Sequence, residues 1–88
     1  MEMDDAIMTP TELRLAEIWG RVLDLEAVAP DEDFFDLGGD SLLATKVVLL
    51  ARREWDVEFT VRVLLDAPVL KDLAERVDQL VAAAPVPE

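Results

Sequence analysis

Ser41 is the residue on which chemistry could turn. It stands in the stretch Leu37-Gly38-Gly39-Asp40-Ser41-Leu42, directly ahead of the apolar run "LLATKVVLLA". A serine that attacks a substrate needs a general base, most often histidine. The 88-residue chain has no histidine. Asp40 is adjacent, but the motif holds no lysine and no third member of a relay, which argues against serine hydrolysis. The acids Asp31, Asp33, Asp36 and Asp40 suggest a calcium loop. An EF-hand begun at Asp31 needs an oxygen ligand at its fifth position, glycine at its sixth and glutamate at its twelfth. Those places hold Phe35, Asp36 and Leu42, so no metal is expected. A nucleotide phosphate loop fails as well, because "GGDS" lacks the lysine and the wider glycine spacing.

What remains is a serine that receives a group. Gly38 and Gly39 keep side chains away from it and allow positive φ where a turn requires it. A helix starting at Ser41 or Leu42 offers unpaired N–H groups and a partial positive field, which suit a phosphate on Ser41. Asp40 is a good cap for the same helix start. Taken singly, two glycines read as an ordinary turn and a serine as a helix cap.

The elements that position this motif follow from apolar spacing. Thr9 as N-cap, Pro10 at the first helical position and Glu12 in a capping box open a first helix. Leu15, Ile18, Trp19 and Val22 form its buried stripe, with Leu13 and Leu23 widening it. Glu12, Glu17 and Arg21 take the wet side, and Glu17 is expected to pair with Arg21. Residues 24–40 form a long connection, pinned by Phe34 with Leu25, Val28 and Leu37. The second helix reaches Trp55, with Leu43, Val47, Leu50 and Ala51 as one stripe. Leu42, Val48 and Leu49 spread its apolar surface over more than one side, while Lys46, Arg52 and Arg53 face out. "DVEFT" is a short extended connector. Thr60 caps a brief third helix, "VRVLLD", and Pro68 opens a fourth along Val69, Leu70, Leu73, Val77, Leu80 and Val81. Leu64, Leu65, Leu73 and Val77 read as packing alone. Trp55 is either core or a partly exposed wedge. The fold class is therefore all-α: a small four-helix bundle with a long loop between helices 1 and 2 and a short third helix. Residues 1–8 form a flexible lead-in, 9–83 the domain and 84–88 a flexible tail.

Twenty acids against eight bases give a net charge of −12. That field disfavours nucleic acid and anionic membrane surfaces, and favours basic patches on partners. It is uneven. Residues 1–40 hold twelve acids and two arginines (net −10), and residues 41–88 hold eight acids and six bases (net −2). Cysteine is absent, so there is neither a disulfide nor a protein thiol. The sequence has no apolar run of the roughly 20 residues that span a bilayer and no basic-then-apolar start. A monomeric cytoplasmic protein, or a piece of a larger one, is expected.

The stretch "DEDFFDLGGDSLLATKVV" resembles the attachment-site motif of the peptidyl carrier, or thiolation, domains of nonribosomal peptide synthetases, relatives of acyl carrier proteins. The resemblance runs from "TPTELRLAEIWGRVL" to "LKDLAERV". It implies a fold of the acyl carrier protein type and a 4′-phosphopantetheine arm on Ser41, with Gly38, Gly39, Asp40 and Leu42 around it. The arm's thiol would hold an aminoacyl or peptidyl thioester. A phosphopantetheinyl transferase using coenzyme A would install the arm. An adenylation domain would load it, and a condensation, tailoring or thioesterase domain would take the cargo on. The chain would then be a carrier and not an enzyme. In such domains the place of Asp40 is held by an acid or a histidine, a choice loosely associated with the downstream domain. Fatty-acid-type carriers usually show an acidic second helix, whereas residues 41–55 here carry Lys46, Arg52 and Arg53 against Glu54, net +2. The partner-facing surface is expected to be mainly apolar, Leu42 with Phe35, bordered by Lys46, with Arg62 as a further contact. Two alternatives stand beside this reading: an acyl carrier of a polyketide or hybrid pathway, and a noncovalent helical adaptor with the carrier fold.

Overall fold

The computed structural model describes residues 8–83. It contains four helices: α1 (Pro10–Leu23), α2 (Ser41–Trp55), α3 (Val61–Asp66) and α4 (Leu70–Ala83). The expected flexible ends fall, apart from Met8, outside the described residues.

Local chemistry sets three of the four helix starts. Thr9 Oγ1 accepts the N–H of Glu12 at 3.0 Å, while Glu12 Oε1 accepts the N–H of Thr9 at 2.9 Å, a reciprocal capping box ahead of Pro10. Asp40 caps α2 and Thr60 caps α3 by a one-way bond, each side chain accepting a backbone N–H, that of Leu43 and that of Val63. Helices α1 and α2 end on Asp24 and Asp56 in the left-handed region, at φ 60° and 54°, which the short polar side chain of aspartate tolerates.

The start of α4 differs from the sequence expectation. Pro68 and Val69 lie before the helix, Val69 forming an isolated antiparallel bridge with Asp33. Carbonyls of the long loop satisfy donors that a first turn leaves open: Glu32 O accepts from Leu70 N at 3.0 Å, and Pro30 O from Lys71 N at 2.8 Å. In return Phe34 N donates to Pro68 O at 2.8 Å. The α3–α4 corner is thereby strapped to the loop that leads into α2.

Helix α1 packs against both α2 and α4, and α3 bridges α2 and α4. Leu15, Ile18 and Trp19 of α1 meet Ala44, Val47, Val48 and Ala51 of α2, Leu64 of α3, and Leu70, Leu73, Ala74 and Val77 of α4. Val28, Phe34, Phe59 and Ala67 complete the core from the connections. Four details depart from the apolar-stripe reading. Leu13 is 51% exposed, because at 100° per residue it points almost opposite the centre of the Leu15–Ile18–Trp19–Val22 stripe. The buried stripe of α2 is turned so that Ala44, Val47, Val48 and Ala51 face inward, with Leu43 and Leu50 flanking it half-buried. Leu65 is 46% exposed, since the six-residue α3 buries one face only, through Leu64. Phe59, read as part of a connector, is fully buried. Trp55 is half-buried against the core.

Arg14 forks onto Glu54, Nε to Oε2 at 3.0 Å and Nη2 to Oε1 at 2.6 Å, tying α1 to the last turn of α2. Arg14 also takes Glu17, which therefore pairs with Arg14 and not with Arg21.

Candidate functional site

The loop before Ser41 is built from inside outward. Phe34 is fully buried, with its ring edge-on to Trp19 at 5.1 Å between centroids. Phe35 stands edge-on to Phe34 at 5.4 Å and remains 37% exposed. Asp33 turns the chain at this point, its Oδ1 accepting the N–H groups of Phe35 at 2.8 Å and Asp36 at 3.2 Å. Backbone bonds then close the approach to the helix: Leu37 N to Asp33 O, Gly38 N to Phe35 O and Gly39 N to Phe34 O, all between 3.0 and 3.1 Å.

The two glycines do different work. Gly38 adopts φ +103° with open space around it, so its backbone conformation is what excludes a side chain. Gly39 is required by packing, because a Cβ there would meet Cε2 of Phe34 at 2.3 Å and Cδ2 at 2.5 Å. Sequence reasoning assigned both glycines to clearing space for Ser41. The structure gives Gly39's space to the buried ring.

Asp40, extended at φ −146°, accepts the N–H of Leu43 at 2.9 Å, and its carbonyl takes Ala44 N at 2.8 Å. The cap reading of Asp40 holds. Ser41 is the first residue of α2 and is exposed, as is Leu42, at 69%. Among the described residues no acceptor is found for the N–H of Ser41 or of Leu42. These are the donors that a helix start presents to an anion. A hydroxyl open to solvent, two unspent N–H groups and no bulky neighbour on its N-terminal side fit a phosphate-linked group on Ser41. The same surroundings lack the histidine that would make this oxygen a nucleophile toward a substrate.

The remaining expected contacts surround this point unequally. Phe35, Leu42 and Lys46 are exposed on the loop and on α2. Arg62 is exposed on α3, at 3.9 Å from Asp66 one turn on. Among the described residues no group of histidine, cysteine, aspartate or glutamate side chains is arranged to hold a metal ion. No described helix is long and apolar enough to cross a membrane.

Residues 13–77 match the family described as "Phosphopantetheine attachment site". The chain is 46% identical over 66 residues to a probable non-canonical nonribosomal peptide synthetase, CymA, of Salinispora arenicola, covering 75% of this chain and 1% of that protein. It is 37% identical over 68 residues to tyrocidine synthase 3 of Brevibacillus parabrevis, covering 77% of this chain and 1% of that protein. The chain thus spans a very small part of these relatives. Among solved structures, it superimposes with a TM-score of 0.79 and 37% identity on a chain in the complex of the phosphopantetheine transferase Sfp with coenzyme A and a peptidyl carrier protein, over 83% of this chain and 95% of that one. The motif around Ser41, the four-helix frame that presents it and this likeness agree, and the chain belongs to the phosphopantetheine-attachment family as a carrier protein of the peptidyl carrier type.

Proposed function

We propose that Ser41 Oγ is the attachment point of the 4′-phosphopantetheine arm and that residues 9–83 make up the carrier unit. The observation behind this is the exposed Ser41 hydroxyl at the first turn of α2, beside the unspent N–H groups of Ser41 and Leu42. When bound, the arm supplies the thiol that this cysteine-free chain lacks, on which an aminoacyl or peptidyl group travels as a thioester. The protein's own part is mechanical. Asp40 fixes the first turn of α2, Gly38 and Gly39 let the chain reach it, and Phe34 roots the loop in the core. The arm therefore starts from a rigid point, and tethering raises the local concentration of its cargo at each partner.

A phosphopantetheinyl transferase installs the arm, an adenylation domain loads it, and a condensation, tailoring or thioesterase domain receives the cargo, all within nonribosomal peptide synthesis. The contact surface comprises Phe35, Leu42 and Lys46, with Arg62 at its edge. Incubation with a transferase and coenzyme A, followed by intact-mass measurement, tests the attachment. The expected result is addition of one arm to the wild-type protein and none to Ser41→Ala. An unchanged mass, or an arm on another residue, overturns the assignment.

A further inference from the structure

Thr45 stands one turn after Ser41 on α2, exposed, and its Oγ1 donates to the carbonyl of Ser41 at 3.0 Å. Residues four apart on a helix are neighbours, with Cβ atoms about 5–6 Å from each other. Helix side chains also lean toward the N-terminus, so the Thr45 hydroxyl overlies the turn that begins at Ser41. The fold itself has no call for threonine there. Thr45 caps no helix and, among the described residues, its side chain bonds to no other element. A β-branched residue is also a poorer helix former than alanine, which stands beside it at position 44.

The bond that Thr45 makes is a spare one. In an α-helix the Ser41 carbonyl also takes the backbone N–H of residue 45, so withdrawing the hydroxyl leaves that carbonyl paired. The first turn around it lacks a cation. Ser41, Leu42, Leu43 and Ala44 are uncharged, and Asp40 adds a carboxylate at the cap. A phosphate on Ser41 is therefore held by neutral donors, and three are at hand. Two are the N–H groups of Ser41 and Leu42, which have no acceptor among the described residues. The third is the Thr45 hydroxyl, whose proton turns freely about the Cβ–Oγ1 bond.

We propose that Thr45 anchors the root of the phosphopantetheine arm. Its hydroxyl proton, given to the Ser41 carbonyl in this structure, passes to a non-bridging oxygen of the phosphodiester on Ser41 Oγ. No covalent bond changes. A neutral hydrogen bond is exchanged for a charge-assisted one, roughly twice as strong, which sets the direction of the exchange. The inference rests on the carrier reading and adds an ordered first linkage, which narrows the directions in which the arm leaves the helix.

The test uses the full chain as wild type, Thr45→Val and Thr45→Ser, each given the arm by a transferase with coenzyme A and checked by intact mass. Phosphorus NMR reads the phosphodiester directly. Its reference is the same wild-type protein unfolded in urea, where the helix start is gone. Folded wild type and Thr45→Ser are expected to share a resonance displaced from that reference, and Thr45→Val to move at least halfway back to it. Carbon NMR gives a second reading that needs no variant. The Thr45 Cβ signal should shift when the arm is installed, while that of Thr60, the α3 cap, stays in place. Circular dichroism checks that Thr45→Val keeps its helices, and should that variant refuse the arm, the Cβ reading decides. Equal phosphorus resonances in wild type and Thr45→Val, a Thr45→Ser variant that follows Thr45→Val, or a Thr45 Cβ unmoved by the arm overturns the proposal. A wild-type protein that gains no arm loses the carrier reading and this inference together; one that gains the arm and gives any of those three results loses the inference alone.

Discussion

The ring of Phe34 occupies the volume that a side chain on residue 39 would need, with Cε2 at 2.3 Å from where its Cβ would stand. The buried phenyl cannot swing aside as a surface side chain would, since Trp19 backs it. Gly39→Ala is therefore expected to lower stability by about 1–3 kcal/mol through overpacking. Gly38→Ala meets no atoms and costs about 1–2 kcal/mol through its positive φ alone. Urea unfolding of the two variants checks both values. A core solvent-relaxation probe at Trp19 separates them, because only the first variant disturbs the ring.

Asp40 is predicted to act on the fold chiefly as a cap. Asp40→Asn keeps an oxygen for the N–H of Leu43 and should change stability little, whereas Asp40→Ala should cost about 1 kcal/mol. Equal losses in the two variants, measured by denaturant midpoint, would show that the charge matters more than the hydrogen bond.

The Arg14–Glu54 fork gives an acid-dependent contribution of known sign. The hydrogen bond from Arg14 holds the Glu54 carboxyl below its usual value, with burial opposing and charge attraction assisting. A lowered folded-state value means stability that is present above the unfolded carboxylate value and is lost as pH falls through the lower folded one. The stability gap between wild type and Glu54→Gln should thus shrink in acid and also at high salt. The Arg14 guanidinium is raised, mainly by the hydrogen bond to Glu54, so its share persists to strongly alkaline pH. Chemical denaturation across the acid range provides the comparison.

Phe59 and Leu65 should respond oppositely to truncation. Phe59→Ala empties a fully buried site and is expected to cost about 3–5 kcal/mol, while Leu65→Ala, at a half-exposed site, should stay within about 0.5 kcal/mol. Thermal unfolding of the pair measures the contrast.

Leu42→Asp should leave helicity intact, as Leu42 is 69% exposed, and should reduce aminoacyl loading by an adenylation domain that charges the wild-type carrier. Undiminished loading with normal helicity would remove Leu42 from the contact surface.

Much of this fold is legible in the sequence, because helix starts are local events. Thr9 with Glu12, Asp40 before Ser41, and Thr60 before Val61 each bond within three residues, so their spacing announces them. The long loop's anchor, Phe34 with Val28, is legible too, as large apolar groups in an otherwise acidic stretch. What escapes local reading depends on distant partners. Pro68 has the composition of a helix start, yet its carbonyl is claimed by Phe34, and α4 begins two residues later. Phe59 has no apolar periodicity around it, and only the assembled bundle shows the space it fills. At the site, the motif located Ser41 and its neighbours. The separate tasks of Gly38 and Gly39 required the position of the Phe34 ring.

The strap from Glu32 and Phe34 to the corner at Pro68 and Leu70 has a consequence for transplanting this module. The loop that leads to the serine is tied to the α3–α4 corner as well as shaped by its own glycines. Moving the motif into a foreign carrier without its matching corner would carry over the letters and leave behind the hinge-pin that holds them square.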